Sequence, residues 1–272
     1  MNNQDYKELA KNIRKDVLKL TYEKKAGFIG ASFSCADILA VMFGGYVDVE
    51  GIKQEKEDRD LVILSKGHAA SALYAALANV GLLEKDKMFD EFHTSGYSLG
   101  VHPKRNTVPG IETSTGSLGQ GLGLGCGAAL AMKIQNQKSK VFVIVGDGEI
   151  NEGSVWESLM FAKKNKLNNL VLIVDRNKLQ SYGHDEDVLN LEEVAPKIKT
   201  FGWNTIEVDG HSVEELDEAF KCAMSSDMPT AIVANTVKGK GCRDFEDKVL
   251  WHYKWPETEH YEKGLKELEE NA

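Results

Sequence analysis

Asp147 and Asn177 are the residues whose type and spacing speak most directly of chemistry. Asp147 stands in a Gly-Asp-Gly turn and Asn177 in an Asp-Arg-Asn turn. Each follows a short β-branched run, at residues 141–145 and 170–174. Such runs suit strands buried on both faces of a parallel sheet, and the helical pattern between them completes a βαβ unit. A crossover of this kind puts both strand carboxyl ends on one edge of the sheet, so the carboxylate and the amide oxygen can meet there. Beside them lie the free N–H groups of a glycine-flanked helix entry. Hard oxygen donors in that place suit a divalent cation bridging to a diphosphate. The tripeptide alone also makes an ordinary turn; the strand, helix and second strand around it carry the reading.

The elements that must position these residues follow in chain order. Leu9, Ile13, Val17 and Leu20 recur at helical spacing over residues 5–22, and Gly27 ends that helix. Residues 27–33 read as a small-residue loop, with a helix starting near Ser34 as N-cap. The charged stretch 51–60 reads as a surface connection. A strand at 61–64, an SKGH turn and an alanine-rich helix to Asn79 come next. After a helical patch at 85–92, residues 93–119 form an irregular region, and a loop of that length inside a domain is usually functional or disordered. It holds His102, the hydroxyls of Thr113, Ser114, Thr115 and Ser117, and Gly116, which lets backbone approach a ligand. Residues 118–131 form a helix whose four glycines call for close packing, in a buried or dimer interface. Strands at 204–208 and 230–235 flank a helix at 213–224 entered at Ser212. The tail from 239 is irregular up to a charged helix from Glu259. The alternation predicts an α/β fold, a doubly wound, mostly parallel sheet with helices on both faces. Residues 1–272 are expected to form a single domain.

Composition narrows the function classes. The chain has 272 residues, 42% hydrophobic, with a formal charge of −9. That charge argues against nucleic acid or an anionic membrane as partner, since both need basic patches. Cys35, Cys126, Cys222 and Cys242 are scattered without metal-like spacing, and residues 1–16 lack an apolar signal core, which fits a reducing cytoplasm. The apolar runs fall far short of the roughly 20 residues that span a bilayer.

Four segments together, RDLVILSKGHAASALYAAL, GIETSTGSLGQGLGLGCGAALA, VIVGDGEINEGSVWESL and VDRNKLQ, resemble the thiamine diphosphate-binding domain of the transketolase family, and the likeness covers nearly the whole chain. Gly146, Asp147 and Gly148, with Asn177 downstream, match the diphosphate-binding fingerprint of thiamine diphosphate enzymes. The resemblance implies Mg²⁺ or Ca²⁺ held by Asp147, Asn177 and the Leu179 carbonyl, with the Gly148 N–H on the diphosphate. It implies cofactor contacts from His68, from Gly116, Ser117 and Leu118, and from Glu149 beside the GDG turn. His102 and His252 match two active-site histidines, the latter also placed against the cofactor. Glu152 and Glu157 match acids near the family's dimer interface, although acids at a helix start are also favoured by its dipole. In the family this half is followed by a pyrimidine-binding domain, whose glutamate activates the cofactor, and by a third domain. The chain is therefore expected to be the N-terminal subunit of a split transketolase. It would be inactive alone, associate with itself and with a second chain carrying the pyrimidine domain, in an α2β2 assembly, and act on sugars.

Phe28 departs from the family, which usually carries a histidine in that loop. Phenylalanine can neither donate a hydrogen bond nor exchange a proton, so an altered ketose substrate is expected. Ser117 in place of proline is a milder change. Two alternatives are a subunit of another thiamine diphosphate enzyme, such as a 1-deoxyxylulose 5-phosphate synthase or a 2-oxo acid enzyme, and a catalytically silent partner subunit.

Overall fold

Residues 1–270 are described by the structure, a computed structural model. The apolar runs become strands β1 (Leu61–Leu64), β2 (Val141–Gly146), β3 (Leu170–Arg176), β4 (Asn204–Asp209) and β5 (Thr230–Asn235). Among the described residues they form one sheet of order β1-β2-β3-β5-β4, with every pairing parallel. The sheet expected as mostly parallel is thus parallel throughout. Alternate residues of β1, β2, β3 and β5 feed two cores, while β4 gives Ile206 and Val208 to the first alone. Phe142, Ile144, Val171 and Ile173 pack with helices Asn3–Glu23, Ala36–Gly45, Ala70–Asn79 and Val213–Ser225. Val141, Val143, Leu170 and Leu172 pack with helices Gly121–Ile134, Gly153–Lys164 and Val194–Thr200. Burial on both faces is why the central strands read as continuous apolar runs rather than as an alternation.

Several local expectations are corrected. Residues Ile29–Ser34 are not loop but a short, wholly buried helix, entered from Phe28 at φ 70°. Their glycine and serine content suggests a loop; burial against the N-terminal helix and the Lys238 segment overrides that propensity. Ser34 does not cap the next helix, which begins at Ala36 after Cys35 without a side-chain cap. Instead the Ser34 hydroxyl donates to Asp175 at 2.6 Å. The glycine-rich helix begins at Gly121, leaving Leu118 in the preceding loop. The stretch at 51–60 includes the end of a short helix, Val49–Lys53, capped by Asp48. Helices Asp185–Val188 and Val194–Thr200 have no counterpart among the expected elements. No helix among the described residues is long and apolar enough to cross a membrane.

Candidate functional site

The carboxyl ends of β1, β2, β3 and β5 deliver SKGH, GDG, Asn177 and Lys238 to one edge of the sheet. Register fixes this: Gly146 pairs with Asp175 and Arg176 with Asn235, so the strands stop nearly level. A cavity of about 140 Å³ opens there, bounded by His68, Leu118, Asp147, Asn177, Lys238 and His252 among others. Leu179, Gly146, Gly148 and Glu149 also line it.

Asp147 is buried, and its two carboxylate oxygens accept N–H bonds from Gly148 at 2.8 Å and Lys178 at 2.5 Å. The Gly148 N–H thus faces the neighbouring carboxylate. Asn177 Oδ1 accepts from the Leu179 N–H at 3.2 Å, and the Leu179 carbonyl accepts from the Lys238 ammonium at 2.9 Å. Burial, then the nearby Asp185 and Asp175 charges, push the Asp147 carboxyl upward. Asp185 Oδ1 is itself buried with no hydrogen-bond partner. An excess of poorly solvated negative charge thus sits among hard oxygen atoms, and a divalent cation fits that deficit.

Two lysines were missed by sequence reasoning. Lys66, 1% exposed, crosses to Asp175 on β3 and donates to the Ala31 carbonyl at 2.9 Å. Burial opposes the ammonium, but Asp175 overcomes it and keeps Lys66 charged. Lys238 bonds the Leu179 carbonyl and meets His252 Nδ1 at 3.2 Å. Burial, resisted by Asp147 and reinforced by Lys66, brings its pKa down to about 8. The available signal was a lysine just past an apolar strand, where a charge has to be paired or put to use.

The histidines divide by position. His68 and His252 have ring centroids 5.3 Å apart. Burial, then Lys66, holds His68 well below the ordinary imidazole value. Burial and Lys238 take His252 down to about 3. Both are therefore neutral imidazoles at pH 7. Because Lys238 donates to His252 Nδ1, the His252 proton sits on Nε2. His102 is exposed on the rim, where a Cβ on Gly116 would approach its Cδ2 to 2.9 Å; this contact and φ +144° require glycine there. Phe28 lies among all three, with centroids 5.6, 5.8 and 5.4 Å from His68, His102 and His252.

The remaining expected residues fall differently. Glu149 borders the cavity, but its carboxylate accepts from Ser65, from the Gly119 N–H at 2.9 Å and from the Gly146 N–H at 3.2 Å. It ties β1, the loop before the glycine-rich helix and β2 together. Ser117 is exposed outside the cavity, as are Glu152 and Glu157 at the start of helix Gly153–Lys164.

Comparison with known proteins follows the same lines. The family model described as "Transketolase, thiamine diphosphate binding domain" matches residues 6–253. The chain is 36% identical over 258 residues to an apulose-4-phosphate transketolase subunit of Phocaeicola vulgatus, covering 94% of this chain and 91% of that protein. It is 34% identical over 269 residues to the 6-deoxy-6-sulfo-D-fructose transketolase subunit SqwG of a Clostridium strain, covering 98% of each. Mouse transketolase is 39% identical over 252 residues, which are 92% of this chain but 40% of the mouse protein. The crystal structure of transketolase from Campylobacter jejuni superposes with a TM-score of 0.87 at 29% identity, covering 100% of this chain and 43% of that one.

Proposed function

Because this chain belongs to the transketolase family, as its thiamine diphosphate-binding domain, we propose that it is the cofactor-binding subunit of a split transketolase. With a second chain that carries the pyrimidine domain, it moves a two-carbon ketol unit from a ketose or ketose phosphate to an aldose. The observation that carries this reading is the match over more than nine-tenths of both chains to relatives named as subunits, against a match to two-fifths of mouse transketolase.

Thiamine diphosphate, when bound, supplies the carbanion-stabilising chemistry that side chains lack. The chain's own residues hold and orient it. Asp147, Asn177 and the Leu179 carbonyl would bind Mg²⁺ or Ca²⁺, in keeping with the uncompensated charge of Asp147 and Asp185. Lys238 would offer positive charge to the diphosphate, while Lys66, whose charge Asp175 already balances, lines the same cavity. His68 and His252, both neutral, serve as hydrogen-bond partners, His252 offering its Nε2–H. His102 stands at the rim, where an incoming sugar would meet it. Phe28 replaces a polar contact with an apolar face between these imidazoles, which suits a modified ketose donor, as in the relatives named for apulose 4-phosphate and 6-deoxy-6-sulfofructose.

The assembly we propose pairs two copies of this chain with two partner chains. Leu124, Ile134, Met160 and Phe161 are exposed on the two helices Gly121–Ile134 and Gly153–Lys164, an apolar face of the kind that marks an interface. Tyr182, Tyr253 and Trp255 are exposed on the segments that border the cavity, where the pyrimidine domain would seat. The four unpaired cysteines are in keeping with a cytoplasmic setting.

Calorimetry of thiamine diphosphate with Mg²⁺ tests the reading, using this chain with and without the product of a neighbouring pyrimidine-domain reading frame. Binding that appears or tightens with the partner, and disappears in Asp147→Ala, is the expected result. Absence of binding in either mixture would make a silent partner the better description.

A further inference from the structure

Two residues beyond Lys238 the strap that follows β5, residues 236–248, lines a different cavity. It measures about 490 Å³ and lies between the N-terminal helix, the turn after β4 and the strap itself. Although the chain carries −9 overall, this cavity gathers Lys7, Lys11, Arg14, Lys240 and Arg243 against only Glu8, Asp37 and Glu246 as carboxylates. Most of those charges are already engaged. Lys7 pairs with Glu214 at 2.8 Å, Lys11 with Glu8, and Arg14 with Asp37. Glu246 accepts from the Gly241 N–H at 3.0 Å. The Lys240 ammonium and the Arg243 guanidinium, by contrast, have no acceptor among the described residues. Behind them Arg14 is 7% exposed, and its Nε is buried without a hydrogen-bond partner. Buried guanidinium nitrogens are rarely left unmatched, so this wall is built for more acceptors than the chain provides.

We propose that this cavity is a second anion site, distinct from the cofactor cavity, which takes a phosphate group through Lys240 and Arg243 with Arg14 behind them. Among the described residues Lys240 and Arg243 face the cavity without acceptors and Glu246 is the one lining carboxylate without a cation, so the unpaired charge is net positive, and an ammonium beside a guanidinium fork suits the several oxygens of a phosphate. The volume admits free phosphate or a small phosphate ester. The site also touches the strap that serves the cofactor cavity. The Val237 N–H donates to His211 Nε2 at 2.8 Å, and His211 Nδ1 donates to Asp37 at 2.8 Å, the carboxylate that Arg14 holds. An anion clamped by Lys240 and Arg243 therefore restrains the segment that presents Lys238.

The test titrates the full chain with inorganic phosphate at fixed ionic strength, with thiamine diphosphate and Mg²⁺ in excess, by calorimetry. Saturable binding is expected in the wild type. It should weaken at least ten-fold in Lys240→Gln/Arg243→Gln, which keeps much of each side chain's apolar stem, and stay unchanged in Lys266→Ala, an exposed ion-paired lysine of the C-terminal helix. Ribose 5-phosphate in parallel separates the sources. Equal affinity assigns the pocket to the phosphate itself, and tighter binding assigns it to a sugar phosphate; either supports the site. Identical titrations by phosphate and sodium chloride would overturn it. So would loss of binding in Lys238→Ala with the double variant unaffected, which would put the anion in the cofactor cavity.

Discussion

Asp37 carries an unusual share of the charge network for one side chain. It takes Arg14 Nη1 at 3.1 Å and His211 Nδ1 at 2.8 Å while buried. Burial alone would raise its pKa; Arg14 and His211 overcome that and lower it from 3.8 to about 2. A depressed folded-state pKa means that the unfolded chain takes up the proton first. The stabilisation is therefore complete above pH 3.8 and is lost as pH falls through about 2. It amounts to roughly 2 kcal/mol at 1.36 kcal/mol per pH unit. Urea melts from pH 5 to 2 should show this extra acid loss in the wild type and not in Asp37→Asn. At pH 7 that variant should already be about 3–5 kcal/mol less stable, because Arg14 is left without its counter-charge. Phe28 gives a second residue-scale expectation. Restoring a donor with Phe28→His should change the ratio of kcat/KM for xylulose 5-phosphate to that for the native donor by roughly five-fold, the worth of one hydrogen bond. An unchanged ratio would remove Phe28 from substrate selection. At this scale the sequence pointed to Asp147, Asn177 and His68, which the fold brings to one cavity, because each sits in a motif next to a strand end. It hid Lys66 and Lys238, whose partners Asp175 and Leu179 lie on or beyond another strand and become neighbours only once the sheet forms.

Among the elements, the glycine-rich helix shows two kinds of glycine on two faces. A Cβ on Gly125 would come within 2.5 Å of Val143 Cγ2 on β2, whereas one on Gly127 would meet nothing within 4 Å. Gly125→Ala should therefore cost about 1–3 kcal/mol through overpacking. Gly127→Ala should be neutral or gain up to about 1 kcal/mol in the isolated chain from helix propensity. If self-association uses this face, Gly127→Ala should weaken the dimer in sedimentation equilibrium while leaving the thermal midpoint of the monomer intact or raised. The strands were legible to within a residue or two, because buried parallel strands are written as unbroken β-branched runs. The buried helix Ile29–Ser34 was not, since Gly30 and the serines obey packing rather than propensity. A Cβ on Gly30 would press on the Lys238 side chain at 3.1 Å, a contact that no local pattern announces.

At the scale of the molecule, a parallel sheet with helices on both faces lets the chemically active residues gather at strand ends on one edge. The opposite edge and the helical layers are left to packing and stability. That division explains why the cofactor half of the site was readable from one chain. The catalytic glutamate that the family takes from its pyrimidine domain belongs, in the split arrangement we propose, to the second polypeptide. The same sheet has a kinetic side. Leu61 pairs with Val141 and Val171 with Thr230, so β1–β2 and β3–β5, two of the four pairings, close long stretches of chain before any contact repays the entropy. Lys66, just past β1, and Asp175, on β3, stand either side of β2 and can find each other only after all three strands have aligned. Their ion pair thus requires all three strands in place, and it reports correct register. Until it forms, two charges would lie in an apolar interior without partners, which makes a slipped sheet costly and rewards the chain for completing the one arrangement that also builds the site.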